Sequence, residues 1–450
     1  MADEALQAVK DERLGGGLGD GNGLSWSCVY CRLVGEQEIH VSEADKRILR
    51  ELAAEVAGIA AWPEQESKKI LWEQHNGLKE TVPLIFCDPE LAWYEVIPAG
   101  KLKCKGKLAR IFEFKLRKEI YWAREICDDR VTAAEFVVHT IFAETSRGLE
   151  SKIIGGSHSG AYTWERPLAD YAEMEKLKPR RIIIDYEKTK ALVELAKELF
   201  SGILEVRQEG SFWWSFGMTG DLILLRGFEQ ILYDMYDHPD GLHALMAFLC
   251  GENLQKLDFL EKNGLLTQNN GGDFIGTGGY GFTKDLPAAD FNGHVRAIDL
   301  WGFAESQETV NVSPEFFLEF VLPYQKAILE KFGLNIYGCC EPLDRRWEAV
   351  KTIPRLRRVT VSPWSDPYVM AEKLGPDYVY CRKVNPAAAA TKNMDAAGAR
   401  ADLRATFQAA HQYHCPAEVM LRDVVTLGGN PGNALNWVRM AREESSRIYG

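Results

Sequence analysis

From about residue 181 to the C-terminus, short β-branched runs alternate with amphipathic helical stretches, and this alternation constrains the fold more than any other feature. The runs are Ile182–Asp185, Ile203–Arg207, Leu265–Asn269, Ala297–Trp301, Leu334–Gly338, Arg358–Val361, Tyr378–Cys381 and Glu418–Leu421. Strands separated by helices build parallel sheets through βαβ units. Eight such strands are what a closed (β/α)8 TIM barrel requires. An open doubly wound sheet is the alternative, but no Gly-x-Gly-x-x-Gly follows the first run. The barrel is therefore the expected fold class, α/β with an N-terminal, mainly helical extension.

The rest of the chain divides by composition. Residues 1–40 carry the run Gly15-Gly16-Gly17-Leu18-Gly19-Asp20-Gly21-Asn22-Gly23, too glycine-rich for regular structure, and read as a flexible segment. Cys28 and Cys31 just after it form a lone CxxC with no second pair nearby, so a structural role outweighs a metal or redox one. Residues 41–180 read as an α/β layer packed on the barrel, opening with a helix that Ser42 and Asp45 introduce. The strand-like run Val82–Phe86 falls within this layer. Residues 181–450 form the barrel.

Charge and cysteine usage narrow the function. A net charge of −12 offers no field for nucleic acid or an anionic membrane. No apolar run approaches the roughly 18 residues needed to span a bilayer. Ten scattered cysteines behind a polar, acidic N-terminus predict a reducing, cytoplasmic setting with free thiols. An enzyme is expected, either monomer or homodimer.

In a barrel the chemistry sits on the loops at the carboxyl ends of the strands. The run at Leu265–Asn269 ends in Asn269 and leads through Asp273 to glycines at Gly276–Gly281, expected to loop tightly over the mouth; Asn269 is a candidate catalytic residue. The next strand end supplies Trp301, Glu305 and Gln307, and later ones Asp366, Lys383, and Arg422 with Asp423. Trp213, Trp214 and Phe216 follow the second run and suit an apolar pocket wall; Arg207 before them pairs a substrate anion or packs as a support. Arg207, Trp213, Trp301, Gln307 and Asp366 are thus the substrate-binding candidates. The sharpest feature is Tyr337-Gly338-Cys339-Cys340-Glu341. Two thiols and a carboxylate are zinc-type donors, with Asp423, Cys381 and His294 as further candidates. Adjacent side chains on a strand point oppositely, so both thiols reach one ion only if the chain has already turned at Gly338.

These residues resemble the uroporphyrinogen decarboxylase superfamily, and within it the zinc-dependent methyltransferases that work with corrinoid proteins. The resemblance covers roughly Leu192 to the C-terminus. It rests on Val312-Ser313-Pro314-Glu315-Phe316-Phe317-Leu318-Glu319-Phe320-Val321-Leu322-Pro323-Tyr324, then Tyr337–Glu341, Val361-Ser362 with Asp366, and Asn385-Pro386. Zinc-binding members carry a His-x-Cys pair after that helix and a later Cys. Here Cys339 matches the pair's Cys, Tyr337 stands in place of the His, and Asp423 lies near the later Cys position. The resemblance implies methyl transfer between a small methylated or methoxylated substrate and a cobalamin-type corrinoid on a partner protein. It also implies Zn²⁺, for which this chain offers either Cys339, Cys340 and Glu341 or a Cys/Asp set, with Glu341 and Asp423 as candidate catalytic groups. A metal-free carboxy-lyase of the same superfamily and a non-catalytic tetrapyrrole or small-ligand binder are the rival readings.

Overall fold

The computed structural model describes residues 24–26, 39–155 and 162–450. The glycine run at Gly15–Gly23 and the Cys28/Cys31 pair lie outside the described residues. The strands, in chain order, are β1 (Leu24–Trp26), β2 (Leu84–Cys87), β3 (Glu135–His139), β4 (Phe142–Thr145), β5 (Lys152–Gly155), β6 (Tyr162–Glu165), β7 (Ile182–Ile184), β8 (Glu205–Glu209), β9 (Trp301–Ala304), β10 (Leu334–Tyr337), β11 (Leu356–Val361), β12 (Val379–Lys383) and β13 (Ala417–Leu421).

Six of them form one parallel sheet in the order β2-β13-β12-β11-β10-β9, and β3 pairs with β8 as a separate parallel ladder. The fold is α/β around this six-stranded parallel sheet. Among the described residues this six-stranded ladder is open, and loop groups bond to both of its edges. Beyond β9, the Asn269 amide donates to the Trp301 carbonyl (3.0 Å) and accepts from its N–H (2.9 Å), while Phe216 N–H donates to the Phe303 carbonyl (2.9 Å). Beyond β2, the Asp129 and Asp128 carboxylates accept from the N–H groups of Ile85 (2.7 Å) and Cys87 (2.8 Å). Side chains thus satisfy two sheet edges that would otherwise invite pairing.

Four expectations change here, the first being Ala297–Trp301, which is a 3-10 turn over Ala297–Asp299 with β9 beginning only at Trp301. Leu265–Asn269 is no strand; it presents Asn269 to the β9 edge. Ile182–Ile184 pairs antiparallel with β4 in the small sheet β1-β4-β7, and Ile183 is exposed, so this apolar run is not a barrel wall. The strand Leu84–Cys87, which the sequence puts in the N-terminal layer, sits in the central sheet beside β13.

Both faces of the sheet are covered, which is why its strands read as continuous apolar runs. Tyr337, Val359, Val361, Tyr380 and Ala417 pack toward the outer helices in one large core. The opposite face carries Trp301, Phe303, Leu334 and Ile336, then Arg358, Thr360, Cys381, Glu418 and Met420. Against this second face lie the helix Pro63–Asn76 and the loop Phe274–Phe282. The Gly276–Thr277 end of that loop meets the strand ends at Arg422 and Gly338, and its later glycines pass close to the sheet face. A Cβ at Gly278 would come within 2.6 Å of Arg358 Cδ, and one at Gly279 within 2.2 Å of the Trp72 ring. Glycine is required because the backbone passes between them. Among the described residues no helix is long and apolar enough to cross a membrane.

Candidate active site

The sharpest sequence feature folds as its spacing requires. After β10, Gly338 takes a positive φ of 100°, a conformation natural to glycine, and its N–H makes a last sheet bond to Ala304 (3.0 Å). The turn brings the two neighbouring sulfurs to the same side, 3.5 Å apart. Lys383, the last residue of β12, places its buried Nζ 3.4 Å from Cys339 Sγ and 3.2 Å from Cys340 Sγ. Asp423, just past β13, pairs with the same ammonium and lies 3.6 Å from Cys340 Sγ. Asp423 holds a left-handed φ of 59° while its N–H donates to Glu90 (3.0 Å).

Electrostatics splits the thiol pair. The hydrogen bond from Cys339, together with the Lys383 charge, favours a thiolate at Cys340, against the penalty of burial. The same hydrogen bond, with burial, pushes Cys339 up, so Cys339 keeps its proton and donates it. Burial pulls Lys383 down, but Cys339, Asp423 and Cys340 outweigh it and hold the ammonium charged.

Glu341 does not face the sulfurs. Its carboxylate accepts from the N–H groups of Ser306 (2.8 Å) and Cys339 (3.0 Å), tying the β9 and β10 loops together. It belongs to a carboxylate cluster with Glu305 and Glu308. There burial, then the charges of Glu308 and Glu341, raises Glu305 well above the usual carboxylate range. Gln307 joins this cluster, its N–H on Glu305 (2.9 Å) and its amide on Glu308 (3.1 Å). The expected ligand set Cys339, Cys340 and Glu341 therefore does not converge. Among the described residues no group of three His, Cys, Asp or Glu side chains is arranged to hold a metal ion. The two sulfurs and Asp423 are suitable donors chemically, but Lys383 occupies the point between them, so the arrangement does not fit zinc. Cys381 packs on Met420 sulfur (3.3 Å) on the covered sheet face, and the His294 N–H bonds only to nearby Asn292 (3.1 Å).

Next to this cluster lies a cavity of about 610 Å³. Arg207, Trp213, Asn269 and Trp301 line it, as does Arg422, the residue before Asp423. Arg422 anchors the shared wall by donating to the Gly276 carbonyl (3.1 Å) and pairing with Glu90 (3.1 Å). Trp214 packs edge-on to Phe303 (5.4 Å) and Trp213 tilts onto Phe216 (5.0 Å), so indoles form much of the wall. Trp301 is fully buried and donates to the Gly281 carbonyl (2.9 Å). Asn269 lines the cavity, with its amide atoms bonded to Trp301 as above.

At the end of the β3–β8 ladder the cavity meets a group the sequence reading missed. Arg207 pairs with Glu135 (3.0 Å), with Asp273 (3.1 Å) and with Glu209. Burial, then Asp273 by charge and hydrogen bond, pushes Glu209 up to about 8. His139 stands 3.8 Å from Glu209; burial, then Lys115 and Arg207, lowers it to about 3 and keeps the imidazole neutral. Its Nδ1 is buried without a hydrogen-bond partner. Asp366 lies elsewhere: it caps the helix Pro367–Leu374, accepting from the N–H groups of Tyr368 (2.8 Å) and Val369 (3.1 Å).

No protein-family model matches the sequence, and no curated protein matches it. A solved methyltransferase from Methanosarcina mazei is similar in backbone, with a TM-score of 0.47 and 8% sequence identity over 85% of this chain and 99% of that one.

Chemically, the strand ends offer two kinds of group. The mouth carries a soft nucleophile, Cys340, which the Cys339 hydrogen bond and the Lys383 ammonium shift toward the thiolate. The cavity carries a protonated carboxyl, a neutral imidazole and aromatic walls, the make-up of a site that binds a flat apolar body and exchanges a proton with it.

Proposed function

We propose that this chain is a methyltransferase that moves a methyl group between a small methylated or methoxylated substrate and a corrinoid protein. The observation that carries the reading is Cys339, Cys340 and Asp423 gathered on Lys383 at the carboxyl ends of β10, β12 and β13. That is where strand-end chemistry sits in barrels, and where the superfamily resemblance of Val312–Tyr324 and Tyr337–Glu341 puts methyl transfer. We read the six-stranded sheet and the β3–β8 pair together as a (β/α)8 barrel interrupted at two seams.

Lys383 supplies a fixed positive charge and, with the Cys339 hydrogen bond, favours the Cys340 thiolate. The mouth then presents a nucleophile through which a methyl group is taken up and passed on. The corrinoid, carried by the partner, would supply cobalt as the other methyl carrier. Zinc would find Cys339, Cys340 and Asp423 as ligands only with Lys383 withdrawn, and no step depends on it.

The test mixes the protein with a methoxylated donor and a reduced corrinoid protein, following cobalt absorption. Methylation of the cobalt is expected, falling by roughly 100-fold or more in Cys340→Ser. An unaltered cobalt spectrum across a panel of methyl donors overturns the reading.

A further inference from the structure

The β3–β8 end of the cavity carries more chemistry than a substrate wall needs. Three carboxylates, Glu135, Asp273 and Glu209, converge on the single guanidinium of Arg207. One cation cannot neutralise three anions, so the group is most stable with a proton retained on it. Asp273 and Glu209 meet on the same guanidinium, and burial with the Asp273 charge raises Glu209, so the pair shares the retained proton. Among the other cations nearby, Lys115 also acts on Glu209 by charge, which with Arg207 sets two positive charges against three carboxylates. Lys115 donates to the Val137 carbonyl (2.6 Å), Arg130 pairs with Glu119, and Arg422 with Glu90. His139 is neutral and cannot supply charge. Lys118 and Asp88 complete the ionisable lining.

We propose that Glu209 and Asp273, held on Arg207, are a proton-donating pair for the cavity's ligand, a planar aromatic ether whose oxygen docks against Glu209. The indoles of Trp122, Trp213, Trp214 and Trp301 line the space such a ring would fill. The buried Nδ1 of His139, lacking a partner, is a second polar contact for a substituent on that ring. This rests on the methyl-transfer reading and assigns its leaving group. The O–CH3 bond breaks with its electron pair remaining on oxygen. The methyl carbon bonds to a two-electron nucleophile, thiolate or reduced cobalt. The Glu209 proton joins the oxygen, leaving a phenol and a carboxylate that rests beside Arg207 until it takes up a proton again from solvent. Protonation makes the oxygen a far better leaving group at neutral pH.

The experiment measures binding alone, so it stands apart from methyl transfer. Methoxybenzene is titrated into the full-length protein from pH 6 to 10, with tryptophan fluorescence as readout. An ether oxygen only accepts hydrogen bonds, so affinity should fall about tenfold or more as pH rises through about 8, where Glu209 loses its proton. In Glu209→Gln, whose amide donates at every pH, binding should persist and the pH dependence disappear. In Glu209→Ala binding should weaken about tenfold at pH 7. Lys115 is also pushed by burial to about 8, and Glu209→Gln separates the two. A pH break that survives in that variant belongs to Lys115 and overturns the proposal. Flat wild-type affinity, or full affinity in Glu209→Ala, overturns it as well. If methoxybenzene binds as expected but cobalt is never methylated, the proton-donating pair stands and the methyl-transfer reading falls.

Discussion

Two buried charge groups share the same sheet and are neutralised in opposite ways. On the covered face, Glu418 pairs with Arg358 (3.2 Å) and His75 (3.1 Å), all three without solvent exposure. Gly279 N–H adds a bond to Glu418 (3.2 Å), and Arg358 also donates to the carbonyls of Gly279 (3.3 Å) and Tyr280 (3.1 Å). Every charge there has its counterpart. At the strand ends, by contrast, Lys383 faces two sulfurs and a half-exposed carboxylate, and Arg207 faces three carboxylates. A closed set of charges fixes geometry, whereas an unbalanced one leaves protons and electron pairs available. The comparison separates architecture from chemistry within one molecule.

The architectural set should give the largest effect when broken. Removing one partner of a buried ion pair leaves an uncompensated charge, and Glu418→Ala is expected to cost about 3–5 kcal/mol in urea unfolding. Burial works against the Glu418 anion, but Arg358 and then His75 hold it down at about 2. Its folded value lies below the unfolded one near 4.3. The stabilisation is therefore present above about pH 4.3 and lost as pH falls toward 2. Acid unfolding that is unchanged in Glu418→Gln would show that the triad is not what holds the sheet to the helix Pro63–Asn76.

A smaller cost follows from steric contact with the same set. In Gly279→Ala the new methyl meets the Trp72 ring at 2.2 Å and Glu418 Oε2 at 2.9 Å. Backbone and rings must shift, which we expect to cost about 1–3 kcal/mol by thermal or urea unfolding. A neutral outcome would mean that the loop Phe274–Phe282 does not lie against the sheet.

The chemical set should respond with the opposite sign. Glu209 holds its proton to about 8 in the folded chain and only to about 4.3 when unfolded. Folding therefore takes up a proton between those values, and stability falls as pH rises through that window. The cost is complete above about pH 8. Glu209→Gln removes it and should stabilise the protein by about 1 kcal/mol at pH 9, with little change at pH 4. Destabilisation at pH 9 would place Glu209 with the architectural residues instead.

The sequence made some of this visible and hid the rest for physical reasons. Helix-separated strands β9 to β13 are covered on both faces, so their apolar runs stand out. The turn at Gly338 was readable because a glycine between a strand and two cysteines has few other uses. Lys383 was noticed only as a residue at a strand end; a lysine closing the buried run Val379-Tyr380-Cys381 was the available signal. Glu209 and His139 escaped notice because β3 and β8 are 66 residues apart when counted from His139 to Glu205, and because β8 alternates charged with other residues as a solvated strand does. Asn269 completes a sheet edge through its side chain, which no strand pattern in Leu265–Asn269 could distinguish from backbone pairing.

Asp366 gives the smallest effect and the cleanest separation between the two roles. It follows a sheet strand, as a substrate ligand would, yet its carboxylate caps the helix Pro367–Leu374 through two N–H groups. An N-cap change to alanine costs about 1 kcal/mol. Asp366→Ala should therefore lower stability by that amount in urea and leave kcat/KM for methyl transfer unchanged. Asp366→Asn, which caps equally well, should restore stability. A fall in kcat/KM in both variants, at unchanged stability in the second, would move Asp366 from the architectural group to the substrate site.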